Sequence, residues 1–243
     1  MKVFTRLFVF SFILFPVLIS CDFQKGVVDG NHTIISKKYD IGDYTQIVMN
    51  VAAEVVYQQI SESHPYLQVN IDENIIPHLD IKVVDNCLYI DTKKDSIIRP
   101  TKFVIYTTSK ELSQAHLAGS GELYLKGEVN SGNFDMQVTG SGTIVTDSLF
   151  CEAIDVQVTG SGNARLAGAS QKSALTITGS GNIKSYSYFV QDIDCNIMGS
   201  GNIEAYPGEK LNATIAGSGN ITYKGEPKTV NTKVTGSGKV NKS

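Results

Sequence analysis

The feature that most constrains this chain is a three-residue string, Gly-Ser-Gly, that recurs seven times with its first glycine at Gly119, Gly140, Gly160, Gly179, Gly199, Gly217 and Gly236. The intervals are 21, 20, 19, 20, 18 and 19 residues. A period near 20 held over half a sequence is the mark of a solenoid, in which each repeat buries its apolar face only by stacking on its neighbours. The flanks repeat as well. Two residues before each first glycine stand Leu117, Val138, Val158, Ile177, Ile197, Ile215 and Val234. Four residues after it stand Leu123, Ile144, Ala164, Ile183, Ile203, Ile221 and Val240. Asn163, Asn182, Asn202 and Asn220 fill one slot between triplet and apolar column in four consecutive copies.

Apolar residues alternate with polar ones on the approach to each triplet, as in Ile154, Val156 and Val158 against Gln157 and Thr159. A period of two is a strand with one buried face. Each triplet is therefore a corner between strands. Glycine supplies the positive φ such a corner needs, and asparagine tolerates it next best. The predicted structural corners are Gly119, Gly121, Gly140, Gly142, Gly160, Gly162, Gly179, Gly181, Gly199, Gly201, Gly217, Gly219, Gly236 and Gly238. Coils stacked about 4.8 Å apart would align the serines and asparagines into hydrogen-bonded ladders. The expected fold is all-β, a parallel β-helix of about 20-residue coils with a strand-rich cap at its amino-terminal end.

The motif, best seen in Ile177-Thr178-Gly179-Ser180-Gly181-Asn182-Ile183 and Ile197-Met198-Gly199-Ser200-Gly201-Asn202-Ile203, resembles the head GIN domain family of auto-transporter adhesins. The stretches Asp72 to Pro77 and Val83 to Ile90 resemble that family's entry region, so the resemblance covers roughly residues 38 to 240. It implies a right-handed parallel β-helix in an extracytoplasmic lipoprotein or surface setting. It brings no defined biochemical activity.

Residues 1–20 read as an export signal, with Lys2 and Arg6 ahead of an apolar stretch from Phe8 to Ile19 that is short for a permanent span. Leu18-Ile19-Ser20-Cys21 resembles a lipobox, which makes Cys21 the expected lipidation site. A diacylglyceryl cysteine that is also acylated, for instance with palmitate, carries enough chain for stable anchoring. Asp22 leaves the leaflet open; the expected place is the envelope of a Gram-negative bacterium, with the outer membrane or cell surface favoured over the inner membrane. Residues 21–35 read as a tether. Residues 36–110 read as the strand-rich amino-terminal part, including a hairpin of Ile81–Val83 with Leu88–Ile90 around Asp85-Asn86, and residues 111–243 as the solenoid. An amino-terminal cap would cover an exposed strand edge, and Lys233, Lys239 and Lys242 would discourage pairing at the other end.

Loss of Lys2 and Arg6 takes the chain from 21 basic groups to 19, against 24 acidic ones. That balance argues against a nucleic-acid partner. Cys87, Cys151 and Cys195 remain; Cys195 falls in an inward column, Cys151 in none, and their spacing argues for no disulfide. Seven equivalent serines are structural, since a catalytic serine is single and sits in a different turn. His78 and Asp80 read as an exposed polar pair, and no cofactor or metal site is expected.

The outward columns offer a flat polar face. His116, Gln137, Gln157, Thr176, Asn196 and Thr214 form the candidate binding row, beside Thr139, Thr159, Thr178 and Thr235. Tyr124, Tyr186, Tyr188, Tyr206 and Tyr223 are expected to be exposed beyond the bends. Amide, hydroxyl and tyrosine side chains together suit contact with glycan or a surface protein. The functional expectation is a non-catalytic, envelope-anchored adhesin or binding β-helix, with oligomers compatible with the fold. The alternatives are a β-helical polysaccharide lyase or hydrolase, for which Asp135 and Asp155 share a column, and a purely structural spacer.

Overall fold

A computed structural model describes residues 26–61 and 64–243; the export signal, Cys21 and the first part of the predicted tether lie outside them. The described chain is a stack of coils. Each strand that approaches a triplet lies parallel to its counterparts, as Asn133–Gly140 does against the end of Thr143–Gly160. Val138, Val158, Ile177, Ile197, Ile215 and Val234 meet in that order, residue on residue. The column from Leu123 to Val240 is likewise unbroken on the face after the corner. A shorter third face closes each central coil, through pairs such as Phe150 with Ala169 and Ala169 with Phe189.

The core is the inside of this tube. Val156, Leu175 and Cys195 on the first face and Ile144, Ala164 and Ile183 on the second are all essentially inaccessible to solvent. Apolar burial of this kind, at about 25 cal/mol per Å², accrues coil by coil, because no coil has a closed core of its own.

The amino-terminal third joins the same tube. Gln46–Met49 and Glu54–Gln59 run parallel to Gln114–Gly119 and Glu122–Asn130 and continue their columns. On its other side that coil pairs, again in parallel, with Cys87–Thr92 and Phe103–Ser109. Spatial order therefore departs from chain order: the first coil is inserted between the second and the third. The tube end is closed by antiparallel strands, Leu79–Val84 against Cys87–Thr92 on one face, and Tyr66–Asp72 then Ile34–Tyr39 on the other. The predicted hairpin is present, with Asp85 and Asn86 both at positive φ, 50° and 60°, as a tight two-residue turn needs.

Three features depart from the sequence reading. Val27–Asp29 forms a parallel pair with Ile97–Arg99, so part of the stretch read as a tether is structured. Glu73–His78 is a short 3-10 turn carrying buried Ile75, too brief for any helical period to show. Buried hydroxyls also line the inside of the first coils. Tyr44 Oη lies 2.6 Å from Thr107 Oγ1, and Tyr57 Oη lies 3.0 Å from Ser109 Oγ. Burial pushes the Tyr57 phenol up to about 12 and raises that of Tyr44 as well, so both groups stay neutral hydrogen-bonding partners.

Candidate functional site

The corners set the geometry of every exposed face. All seven first glycines have φ between 105° and 135°, a region that side chains with a Cβ avoid. The third glycine is needed for a different reason: a Cβ on Gly181 would run into the carbonyl oxygen of Gly162 in the coil beneath. Close stacking is what the bare backbone permits. The amides of Ser180 and Gly181 both donate to the Gly160 carbonyl, at 2.8 and 3.0 Å, and that of Asn182 donates to Gly162 at 3.1 Å.

The expected ladders separate into two cases. Asparagines form one: Asn182 donates to Asn163 at 3.0 Å, Asn202 to Asn182 at 3.1 Å and Asn220 to Asn202 at 3.2 Å. The serines do not. Among the described residues only Ser237 reaches its neighbour, donating to Ser218 at 3.1 Å. Serine at the corner apex points into solvent, where water serves it as well as another hydroxyl does.

The predicted row His116, Gln137, Gln157, Thr176, Asn196 and Thr214 is assembled residue on residue on the first face. It continues to Val48 and Tyr89 at one end and Lys233 at the other. The neighbouring outward column runs Asp135, Asp155, Ala174, Asp194 and Asn212. The two columns interact along each strand: Gln137 donates to Asp135 at 3.0 Å, and Gln157 to Asp155 at 3.5 Å. Burial raises the Asp135 carboxyl, the Gln137 bond opposes it, and repulsion from Asp155 adds to the rise. A groove of about 620 Å³ follows this column and the next one out, which carries Ala153, Lys172, Asp192 and Lys210. Periodicity alone could not show it. It exists because Ala153 and Ala174 interrupt columns of larger side chains.

The aromatic residues are redistributed relative to expectation. Tyr124, Tyr186, Tyr206 and Tyr223 are half-buried, whereas Tyr188 is fully buried, its hydroxyl 3.2 Å from Cys151 Sγ. The reason is a register shift between Arg165 and Ala167 against the following coil, since a one-residue slip exchanges the faces of a strand. Phe150 and Phe189 stand outside instead, each 40% exposed, with Ala169 between them in one column. Phe189 packs edge-on against Tyr206, ring centroids 5.2 Å apart, and Lys224 Nζ lies 4.3 Å above the Tyr206 ring. Gly208 makes the room: a Cβ there would fall 2.6 Å from the tip of the Phe189 ring.

Cys195 is buried where its column places it, between Leu175 and Ala213. Cys151 does occupy a column, with Ser170, Val190 and Pro207; the third face that carries it leaves no clear period in the sequence. Cys87, Cys151 and Cys195 are all free thiols. His78 Nδ1 lies 3.2 Å from Ser96 Oγ, while Asp80 pairs with Lys82 at 2.6 Å, so the two do not act together. Among the described residues no three His, Cys, Asp or Glu side chains converge as metal ligands would.

The family profile described as "Putative auto-transporter adhesin, head GIN domain" matches residues 43–227, from the first inserted coil to the penultimate one. The chain belongs to the head GIN domain family. Three solved structures show the same coil architecture. A "putative adhesin" from Bacteroides fragilis NCTC 9343 is 25% identical with a TM-score of 0.84, covering 89% of this chain and 100% of that one. A "putative adhesin" from Parabacteroides merdae ATCC 43184 is 30% identical with a TM-score of 0.75, covering 89% and 99%. A "putative lipid binding protein" from Parabacteroides distasonis ATCC 8503 is 28% identical with a TM-score of 0.75, again covering 89% and 99%. No curated protein matches the chain in sequence. In this head GIN domain the matched residues include the inserted first coil.

Proposed function

We propose that this head GIN protein is a non-catalytic, lipid-anchored adhesin of the cell envelope that binds glycan. The observation that carries the reading is the pair Phe150 and Phe189, exposed two coils apart on a rigid sheet with only the Ala169 methyl between them. A ring held by backbone ladders on both sides loses little freedom on binding, and its exposed apolar face suits the C–H face of a sugar ring. Tyr206 and Lys224 add a polar border. The adhesin descriptions of the relatives support the same reading. The basic start, the apolar stretch and Cys21 support an anchor that would hold the tube at a membrane surface.

The test is a glycan array probed with the full-length protein in detergent. Binding of at least one glycan class is expected, with Phe150→Ala and Phe189→Ala each lowering it about tenfold, as loss of a desolvated aromatic contact does. An array with no signal would remove the glycan reading. Cys21→Ser should abolish lipid labelling and release the protein from membranes; unchanged retention would mean that the anchor lies elsewhere.

A further inference from the structure

The groove on the first face carries a chemistry of its own. Ala174 stands in register between Asp155 and Asp194. The two carboxylates therefore rise from coils two spacings apart, roughly 10 Å at the backbone, with a methyl group as the floor. That gap takes one six-membered ring. Ionised carboxylates only accept hydrogen bonds, so the ring must present donors at both edges. Below the floor, Ser173 takes an inward position that holds Ile154 and Ile193 in the adjoining coils. It is 5% exposed, it lines the groove, and its Oγ has no hydrogen-bond partner. Buried hydroxyls are rarely left so; this one points into the tube and is closed to solvent, so the contacts open to a ligand are those of the outward side chains.

The charges narrow the ligand further. Four carboxylates line the groove, Asp135, Asp155, Asp192 and Asp194, against two ammonium groups, Lys172 and Lys210, a net of −2. None of the six belongs to an ion pair among the described residues, although Lys172 and Asp192 are register partners. Asn212 satisfies one oxygen of Asp194 at 2.5 Å, Gln137 one of Asp135 at 3.0 Å and Gln157 one of Asp155 at 3.5 Å, which leaves the other oxygen of each carboxylate for a ligand. A rim of net negative potential favours a cation.

We propose that this groove is a subsite for a protonated amino sugar, a hexosamine unit of a glycan whose hydroxyls and ammonium group bridge Asp155 and Asp194 across Ala174. The proposal rests on the glycan-binding reading and goes beyond it in naming a second contact and its chemistry.

Isothermal titration of the full-length protein in detergent with a β-1,4-linked glucosamine tetramer is the direct test. The N-acetylated tetramer and a glucose tetramer are the comparisons. The glucosamine tetramer is expected to bind at least tenfold more tightly than either and to weaken as salt rises. Asp155→Asn combined with Asp194→Asn should lower its affinity at least tenfold, and Ala174→Phe should abolish binding by filling the gap. Lys172→Ala, which removes a like charge, should strengthen it severalfold, a change that mere loosening of the fold would not produce. Equal binding of all three tetramers, or a double variant that binds like the parent, would overturn the proposal. So would absence of glucosamine binding. In that last case an array signal sensitive to Phe150 and Phe189 would leave the glycan reading standing, whereas a blank array would remove both.

Discussion

Gly179 answers two demands at once. Its φ is +124°, and a Cβ there would lie 2.5 Å from the Gly160 carbonyl oxygen. Gly179→Val should therefore lower stability by the ~1–3 kcal/mol typical of a strained backbone position, and by more because the coil beneath must move. Ser180→Ala, by contrast, deletes an exposed hydroxyl with no partner among the described residues and should fall within about 0.5 kcal/mol of the parent. Chemical denaturation of the two variants measures the difference directly, and comparable midpoints would contradict the corner geometry. Cys195 reads the register from inside. Burial raises its thiol strongly, with Asp194 adding to the rise, so a polar thiol reagent should label half-buried Cys151 well before Cys195 in the native protein. Cys195→Asp buries an unpaired carboxyl at a cost of several kcal/mol, whereas Asn196→Asp, facing out from the same strand, should change stability by less than about 0.5 kcal/mol. Fast labelling of Cys195 in the intact fold would invert the face assignment of the whole first sheet.

At the scale of elements, the capped end hangs on Asp72. Its carboxylate closes the strand Tyr66–Asp72 and accepts from the His32 amide at 2.8 Å, the Thr101 amide at 2.7 Å and Thr101 Oγ1 at 2.8 Å. It thereby ties the turn before Ile34–Tyr39 to the start of Phe103–Ser109. Burial acts to raise this carboxyl, but the bonds from Thr101 and His32 outweigh it, and its pKa is lowered. A lowered folded value means that the stabilisation is in place above the unfolded carboxyl's pKa, about 3.9, and is lost as pH falls through the folded one. Amide exchange at His32 and Thr101 should accelerate on going from pH 6 to pH 3 beyond the intrinsic chemical change, while central-coil amides keep their protection. In Asp72→Asn the exchange should already be fast at pH 6, with little further loosening. At the opposite end no strand among the described residues covers Thr229–Gly236 or Lys239–Lys242. Lys233, Lys239 and Lys242 are exposed there, and Lys37 and Lys38 lie on the outer strand of the cap. Both ends thus present edge lysines, Lys242 paired with Glu226, and such residues oppose head-to-tail stacking of one tube on another.

The whole molecule is a one-dimensional stack interrupted by one topological event. In its regular part each coil meets only its neighbours, so coils should be removable. Excision of residues 182–201 joins Gly181 to Asn202 and keeps the columns flanking the corner in phase. The shortened protein should retain a cooperative melt and a strand-type circular dichroism spectrum, with a lower midpoint. Excision of residues 46–59 is the contrasting case, because that coil is paired on both sides by segments that come later in the chain. Its loss should abolish folding. If both deletions fold, or neither does, the inserted-coil topology does not govern stability.

The sequence by itself determined the repeat, the corners and the inward and outward columns, because Gly-Ser-Gly at a near-constant interval carries both period and phase, and strand alternation has no intermediate state. The antiparallel hairpin at Asp85-Asn86 was equally legible from its turn residues. The third face was not: its stretches are three or four residues long, and a single register shift at Arg165 was enough to bury Tyr188 and leave Phe189 outside. The order of the first coils was also beyond periodicity, since which strand pairs with which depends on contacts between residues far apart in the chain, such as Met49 with both Ile90 and Leu117. The groove belongs to the same class. Ala153 and Ala174 are unremarkable one by one, and only stacking in register turns two small side chains into a depression rimmed by charge.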